Sequence, residues 1–321
     1  MSNRLRSGFT LPELLVSAVI LAVVSVYLAD LLTRQSRTYA VVDQVTEIQH
    51  NLRAIAHLME REIRTTGVMV PEAAAFCGAD NTNTSDAIFL SDGDAIAPGL
   101  SNDLGAEVQG SFAGSDTSVQ LDDVVVDGDP FYDTDLDGVA DSDFQVGGGV
   151  IFVDPDNPAL GAQCGQITAI NVGAGTLGVD YTRGGTDIVS SNMKAIPAQM
   201  YWINGFGQLV RNGTILADDV EDLQFAAFYD VDEDDVIDSD ALEYPGSDAG
   251  DIYESDNWNN SRLRELRVSF VVRTRMPDPE FTTGQFQAVE NRTPPAGNDG
   301  FRRRVHTIVV RPRNVGQRQG V

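Results

Sequence analysis

The chain has 321 residues, with 48 acidic against 22 basic side chains and a formal net charge of −26. Hydrophobic residues make up 42% of it, enough for a core, so wholesale disorder is excluded, and the length allows two domains or one domain with a large insertion. A surface this acidic is poorly suited to a nucleic-acid backbone, which needs basic side chains to displace counterions; its natural small partners are cations.

Residues 1–8, MSNRLRSG, form a short polar stretch made basic by Arg4 and Arg6. Residues 9–29, FTLPELLVSAVILAVVSVYLA, then run apolar for about 30 Å of helix, one hydrocarbon core. A secretory signal places a small-residue cleavage site after the apolar run, whereas here the small residue, Gly8, precedes it. The run carries a carboxylate near its start, Glu13, and a carboxylate in an apolar membrane segment calls for a partner.

The string Gly8-Phe9-Thr10-Leu11-Pro12-Glu13, behind a short basic leader and ahead of an apolar helix, resembles the class III signal of type IV prepilins. The resemblance implies cleavage between Gly8 and Phe9 by prepilin peptidase and N-methylation of Phe9. It also implies that Glu13 pairs with the N-terminal amine of a neighbouring subunit. Opposite charges buried in an apolar helical bundle must neutralise each other, which agrees with that pairing.

Past the apolar run the helical pattern continues. Val41, Val45, Ile48, Leu52, Ile55, Met59 and Ile63 recur at spacings of three and four, one face of a helix. Glu60 and Arg64 form an i,i+4 pair, and Gly67 suits a C-cap. One helix is expected from about Phe9 to Thr66. Residues 9–32 are its transmembrane or filament-core half, and residues 33–66 its amphipathic half, packed on a globular head.

Residues 67–197 are rich in Gly, Asp, Ser and Asn and read as an acidic, irregular β insertion. Short strands are expected at Ala87–Leu90, Val119–Val126, Val150–Val153, Ile167–Val172 and Thr176–Val179. Residues 198–321 read as a β-sheet head. It should contain a hairpin over 201–213 that turns around Asn204–Gly207, central strands at 222–230 and 263–274, and a last strand at 303–313. The imperfect alternation of Val268, Phe270 and Val272 against Arg267, Ser269 and Arg273 predicts a sheet covered mainly on one side, by the helix. The fold class is α+β: a long N-terminal helix on an antiparallel β-sheet head with a large irregular β-rich insertion, a type IV pilin-like fold.

These later segments carry a second resemblance. The quoted strings are Met59 to Gly67, Tyr201-x-Ile203 with Gly207-Gln208-Leu209-Val210-Arg211, Val220 to Phe225, Leu266 to Arg273, and Arg311 to Asn314. They look like PilW-type minor pilins. The GspJ-type pseudopilins of type II secretion share much of the pattern, but the long acidic region 68–197 favours the minor pilin. The resemblance implies a single-pass inner-membrane protein with a periplasmic head, later part of a pilus at the cell surface. Its partners would be prepilin peptidase, the major pilin and other minor pilins.

Two acidic loops share the pattern D-x-D-x-D-x-V-x-D-S-D. The first offers Asp133, Asp135, Asp137, Asp141 and Asp143, with the Val139 carbonyl; the second offers Asp230, Asp232, Asp234, Asp238 and Asp240, with the Val236 carbonyl. Hard cations take six to eight oxygens, and alternate residues of a tight loop aim carboxylates at one point, so structural Ca²⁺ is expected. The second loop is the weaker candidate, because Asp235 stands where the first has Gly138 for the sharp turn. Neither has a bidentate Glu at position 12. The plain alternative is a solvated charge run in an acidic chain.

The implied compartment is oxidising, so the two cysteines, Cys77 and Cys164, are expected to form a disulfide. The three histidines, His50, His57 and His306, lack the spacing of a helical metal pair, and no nucleophile elbow, P-loop or dinucleotide fingerprint occurs. No enzyme is expected. The function read from the residues is a minor pilin in pilus assembly, initiation or a tip complex. The rivals are a secretion pseudopilin and a calcium-dependent tip adhesin.

Overall fold

The computed structural model describes residues 10–68, 70–79, 84–91, 106–107, 112–113, 118–121, 144–154, 156, 162–171, 174–183, 188–189, 193–229, 263–278, 280–282, 284–286, 288–290, 292–294 and 297–315. They fall into two compact units, residues 1–49 and 50–321.

The first unit is helical. Helix α1 spans Leu11–Thr65, beginning in this unit and ending in the second. Thr10 precedes the helix, and its N–H and its hydroxyl both donate to Glu13 Oε2, at 3.2 and 3.1 Å, the first of these being the carboxylate half of a capping box. Pro12 is tolerated because the first-turn N–H groups have no helical acceptor. Leu14, Leu15, Val19, Ile20 and Leu21 are all exposed, so this stretch is apolar on every side. The hydroxyls of Ser17 and Ser25 return to the carbonyls of Leu14 and Leu21, so both serines are satisfied within the apolar run. The helix is long and apolar enough to cross a membrane.

In the second unit α1 becomes one-sided. Leu52, Ile55, Met59 and Ile63 are buried, the face their spacing predicts. The helix stops at Gly67, whose φ of +79° an L side chain rarely adopts; a Cβ there would also meet Val315 Cγ2 at 2.8 Å. Ser91 Oγ accepts from the Gly67 N–H at 3.0 Å, and Asn314 Nδ2 donates to the Thr66 carbonyl at 3.3 Å, so two distant segments finish the helix.

Fifteen strands are described: β1 (Phe76–Ala79), β2 (Ala87–Ser91), β3 (Ala106–Glu107), β4 (Phe112–Ala113), β5 (Ser118–Gln120), β6 (Gly149–Val153), β7 (Gln163–Asn171), β8 (Thr176–Asp180), β9 (Ile188–Val189), β10 (Lys194–Ile203), β11 (Leu209–Arg211), β12 (Thr214–Ala217), β13 (Val220–Tyr229), β14 (Leu263–Arg273) and β15 (Arg303–Val310). Every described pairing is antiparallel. The main sheet runs β1-β2-β10-β6-β7-β8-β5, with β3 and β11 also on β10, and β12 on β11. A second sheet is β13-β14-β15, and β4 pairs with β9.

Strand β10 organises the main sheet. The expected boundary between residues 197 and 198 falls inside it, and it pairs with β6 of the insertion as well as with β2 and β11. Pro197, which has no N–H to give a ladder, lies between the stretch that pairs with β3 (Lys194, Ala195) and the stretch that pairs with β2 (Ala198 to Tyr201). The expected hairpin is β10–β11, with Tyr201 opposite Arg211 and Ile203 opposite Leu209. Asn204 Oδ1 accepts from the N–H groups of Phe206 and Gln208 and shapes the turn, with Gly207 at φ +71°.

Register then fixes two faces. Partners across a ladder share a side, so Cys77, Phe89, Met200, Ile196, Ile151 and Cys164 lie on one face of the sheet, and all have 0% exposure. Gly149 belongs to the same face, where a Cβ would come within 2.5 Å of the Phe89 ring. The opposite face of β5 to β8 holds a separate apolar cluster, with Val119, Val150, Phe152, Ile167, Leu177 and Val179 at its centre.

The second sheet departs from the one-sided expectation. Leu266, Val268, Phe270 and Val272 are buried on one face of β14, yet Ser269 and Val271 are buried on the other. The segment after β14 covers that second face: Glu290 accepts from Ser269 Oγ at 2.8 Å and from Arg267 Nε at 2.9 Å, while Val289 is buried beside it. Asp86 ties the two sheets together, its N–H donating to the Leu223 carbonyl and its carboxylate accepting from the Phe225 N–H.

Candidate functional site

Of the N-terminal signal, Gly8 and Phe9 lie outside the described residues. Glu13 lies in the first turn of α1, exposed and holding the Thr10 amide and hydroxyl. Both calcium loops, Asp133 to Asp143 and Asp230 to Asp240, also lie outside the described residues; among those described, no group of three or more His, Cys, Asp or Glu side chains is placed to hold a metal.

Cys77 and Cys164 form a disulfide, with Cα atoms 6.1 Å apart and 87 residues between them in sequence. The bond joins β1 to β7, which are four places apart in sheet order. Strands lie about 4.8 Å apart, so a flat sheet would separate them by roughly 19 Å. The sheet must therefore curl around its Phe89–Met200–Ile196–Ile151 face until the two strands meet, and the disulfide closes that seam.

The end of the helix is clasped to the reverse face. Glu62 accepts from Arg211 Nη2 at 2.6 Å and from the Tyr201 hydroxyl. Tyr201 has 0% exposure, and its phenol is pushed well above its ordinary pKa, first by burial and then by the adjacent Glu62 carboxylate. Arg211 is held above its usual range: burial alone would lower it, but the Glu62 carboxylate prevails. The periodicity of the helix marks Glu62 as a residue off the apolar stripe and says nothing of its partners. Ladder pairing of Tyr201 with Arg211 is what presents two donors side by side.

A second charged cluster joins β13, β14 and β15. Arg303, 2% exposed, donates to Glu221 Oε1 at 2.9 Å and to Asp299 Oδ1 at 2.8 Å, with its guanidinium 3.9 Å from the Phe286 ring centre. These hydrogen bonds hold the Asp299 carboxyl below its usual range.

Compared with known families, residues 3–29 match the prokaryotic N-terminal methylation motif. No curated protein sequence matches the chain. Among solved structures, a type IV-like pilin from Thermus thermophilus is similar at 15% identity and a TM-score of 0.23, over 54% of this chain and 89% of that one. The methylation motif leads into a long N-terminal apolar helix and an antiparallel head, the layout that the sequence predicts for a type IV pilin-like fold.

Proposed function

We propose that this is a minor pilin of a type IV pilus, PilW-like, acting in pilus assembly, initiation or a tip complex with the major pilin and other minor pilins. The observation that carries the reading is the methylation motif at residues 3–29, leading into a helix that is apolar on all sides and then one-sided where it meets a head. In this reading the precursor sits in the inner membrane with its head in the periplasm. Prepilin peptidase cuts between Gly8 and Phe9, the new Phe9 amine is methylated, and the subunit passes into the filament. The acidic loops hold structural Ca²⁺; what supports this is their repeated D-x-D-x-D spacing.

Deleting the gene tests the role. An assembly factor leaves cells without surface pili. Pili that form normally but no longer attach would instead make the chain an adhesin, and loss of protein export with pili intact would make it a secretion pseudopilin.

A further inference from the structure

Strand β15 forms one border of the second sheet, with β14 its one neighbour among the described residues. The ladder decides which of its backbone groups face outward. The Thr274 N–H donates to the Arg302 carbonyl at 2.9 Å, so these two residues make a hydrogen-bonded pair. Such pairs alternate along an antiparallel ladder, and the register runs unbroken from Arg273 opposite Arg303 to Leu266 opposite Val310. Arg304, His306, Ile308 and Val310 therefore bond to β14, whereas Val305, Thr307 and Val309 turn their N–H and C=O groups away from it. Among the described residues no hydrogen bond reaches these outward groups. The same three residues are exposed, Val305 by 38% and Val309 by 52%. The opposite border is closed by contrast, because Asp86 holds the Leu223 carbonyl and the Phe225 N–H of β13.

An open edge is a template for another strand, and native edges are commonly blunted by a bulge, a proline or a charge. β15 has no register shift and no proline between Arg303 and Val310. Its charge is arginine. Residues 301–321 hold six arginines and no acidic residue, in a chain of net charge −26. Arg302 and Arg303 are paired with Asp278, Asp299 and Glu221. Arg304 and Arg311 are exposed, one beyond each end of the outward-facing stretch. Arg311 meets Glu265 at 3.5 Å with its own side chain 75% exposed, and exposed pairs of that kind hold weakly.

We infer that β15 is a docking edge, to which an extended acidic segment of another polypeptide adds as a further strand. The outward N–H and C=O groups supply the new ladder, and Val305, Thr307 and Val309 present a β-branched row to the incoming side chains. Arg304 and Arg311 select acidic side chains at the two ends, since opposite charges across a ladder attract and like charges repel. A second copy pairing through its own β15 is disfavoured for the same reason: an antiparallel pairing centred on Thr307 sets the Arg303–Arg304 end of each copy against the Arg311 end of the other. The acidic remainder of the chain repels such a partner, which confines it to this strip.

The test is fluorescence anisotropy of labelled peptides matched to the eight residues of β15, titrated with the full chain in detergent. A peptide of alternating Glu and Val should bind saturably. The same peptide with Lys in place of Glu, or with Pro at alternate positions to remove ladder N–H groups, should bind about tenfold more weakly or not at all. Arg304→Glu should weaken the Glu–Val peptide about tenfold. Val309→Pro removes an outward N–H without touching the bonds to β14, and should weaken that peptide similarly at a nearly unchanged melting temperature. Absence of binding, equal binding of the Lys or Pro peptide, or binding untouched in either variant would overturn the proposal. So would self-association of the chain that Val309→Pro abolishes, which would make the occupant a second copy.

Discussion

Cys77 and Cys164 sit on the same face of one sheet, four strands apart in its order, and their Cα atoms are nevertheless 6.1 Å apart. The disulfide is therefore the seam of a curled sheet rather than a tether between neighbouring strands. Replacing both cysteines by Ala should lower stability by up to about 4–5 kcal/mol on loop entropy for an 87-residue closure. Thermal melts with and without reductant measure it: the natural chain should lose stability on reduction and the double variant should not respond. Under denaturing, non-reducing conditions a thiol titration should find no free thiol.

The Glu62 clasp should behave as one unit. Tyr201→Phe removes the hydroxyl that donates to a carboxylate in a buried setting and should cost about 1–3 kcal/mol. Glu62→Gln should cost more than Tyr201→Phe, because it leaves the Arg211 charge unpaired near buried surface. A double-mutant cycle of these two variants on denaturant unfolding reads the coupling; additive losses would show that the hydroxyl and the carboxylate do not stabilise each other.

Processing at the N-terminus gives a mass. Cleavage after Gly8 leaves 321 − 8 = 313 residues beginning at Phe9. Mass spectrometry of the N-terminal peptide should find methylated Phe9, and an intact Met1 would refute the reading. Glu13 has two roles to separate. Glu13→Gln keeps an oxygen for the Thr10 amide but carries no charge, so its helix should start normally and its subunit should be processed yet fail to enter filaments. Normal incorporation of that variant would remove the argument for a charge pair.

Calcium should raise the stability of the full chain by RT ln(1 + [L]/Kd), about 2.7 kcal/mol at a hundredfold excess over Kd. Mg²⁺ should do less, because it demands a smaller octahedral site and sheds water reluctantly. Changing Asp133, Asp135 and Asp137 to Asn should remove most of the shift, and changing Asp230, Asp232 and Asp234 less of it. An equal response to Mg²⁺ at matched ionic strength, unaltered in the first triple variant, would leave only general screening of an acidic chain.

Asp299 links stability to pH. Its folded pKa is depressed by hydrogen bonds from Arg303, so its contribution is complete above the ordinary carboxylate value of about 3.9 and is lost as pH falls through the lower folded value. Asp299→Asn should therefore lower stability at neutral pH and narrow its gap from the natural chain as the pH drops below about 4. A gap that stays constant down to acid pH would show that the carboxylate contributes nothing through its charge.

The sequence by itself determined what depends on near neighbours. The apolar run, the Leu52–Ile63 stripe and the left-handed C-cap at Gly67 are each set within a few residues of chain, and so is the Asn204–Gly207 turn. Most expected strands were found where alternation placed them, although β7 begins earlier than its apolar run because Gln163 and Cys164 already pair with β6. A period of two tells which residues share a face but not which strands lie side by side. Only the tertiary structure decided that β10 would carry β6 on one side and β2 on the other. It alone decided that the sheet would curl until Cys77 met Cys164, and that a segment after β14 would cover the face left open by the alternation. Glu62 finds Tyr201 and Arg211 across 139 and 149 residues, and Arg183 finds Trp202 only through the path of the sheet. Charged side chains on a polar face look alike in sequence; what distinguishes them is the pairing brought about when distant strands are stacked and desolvated together.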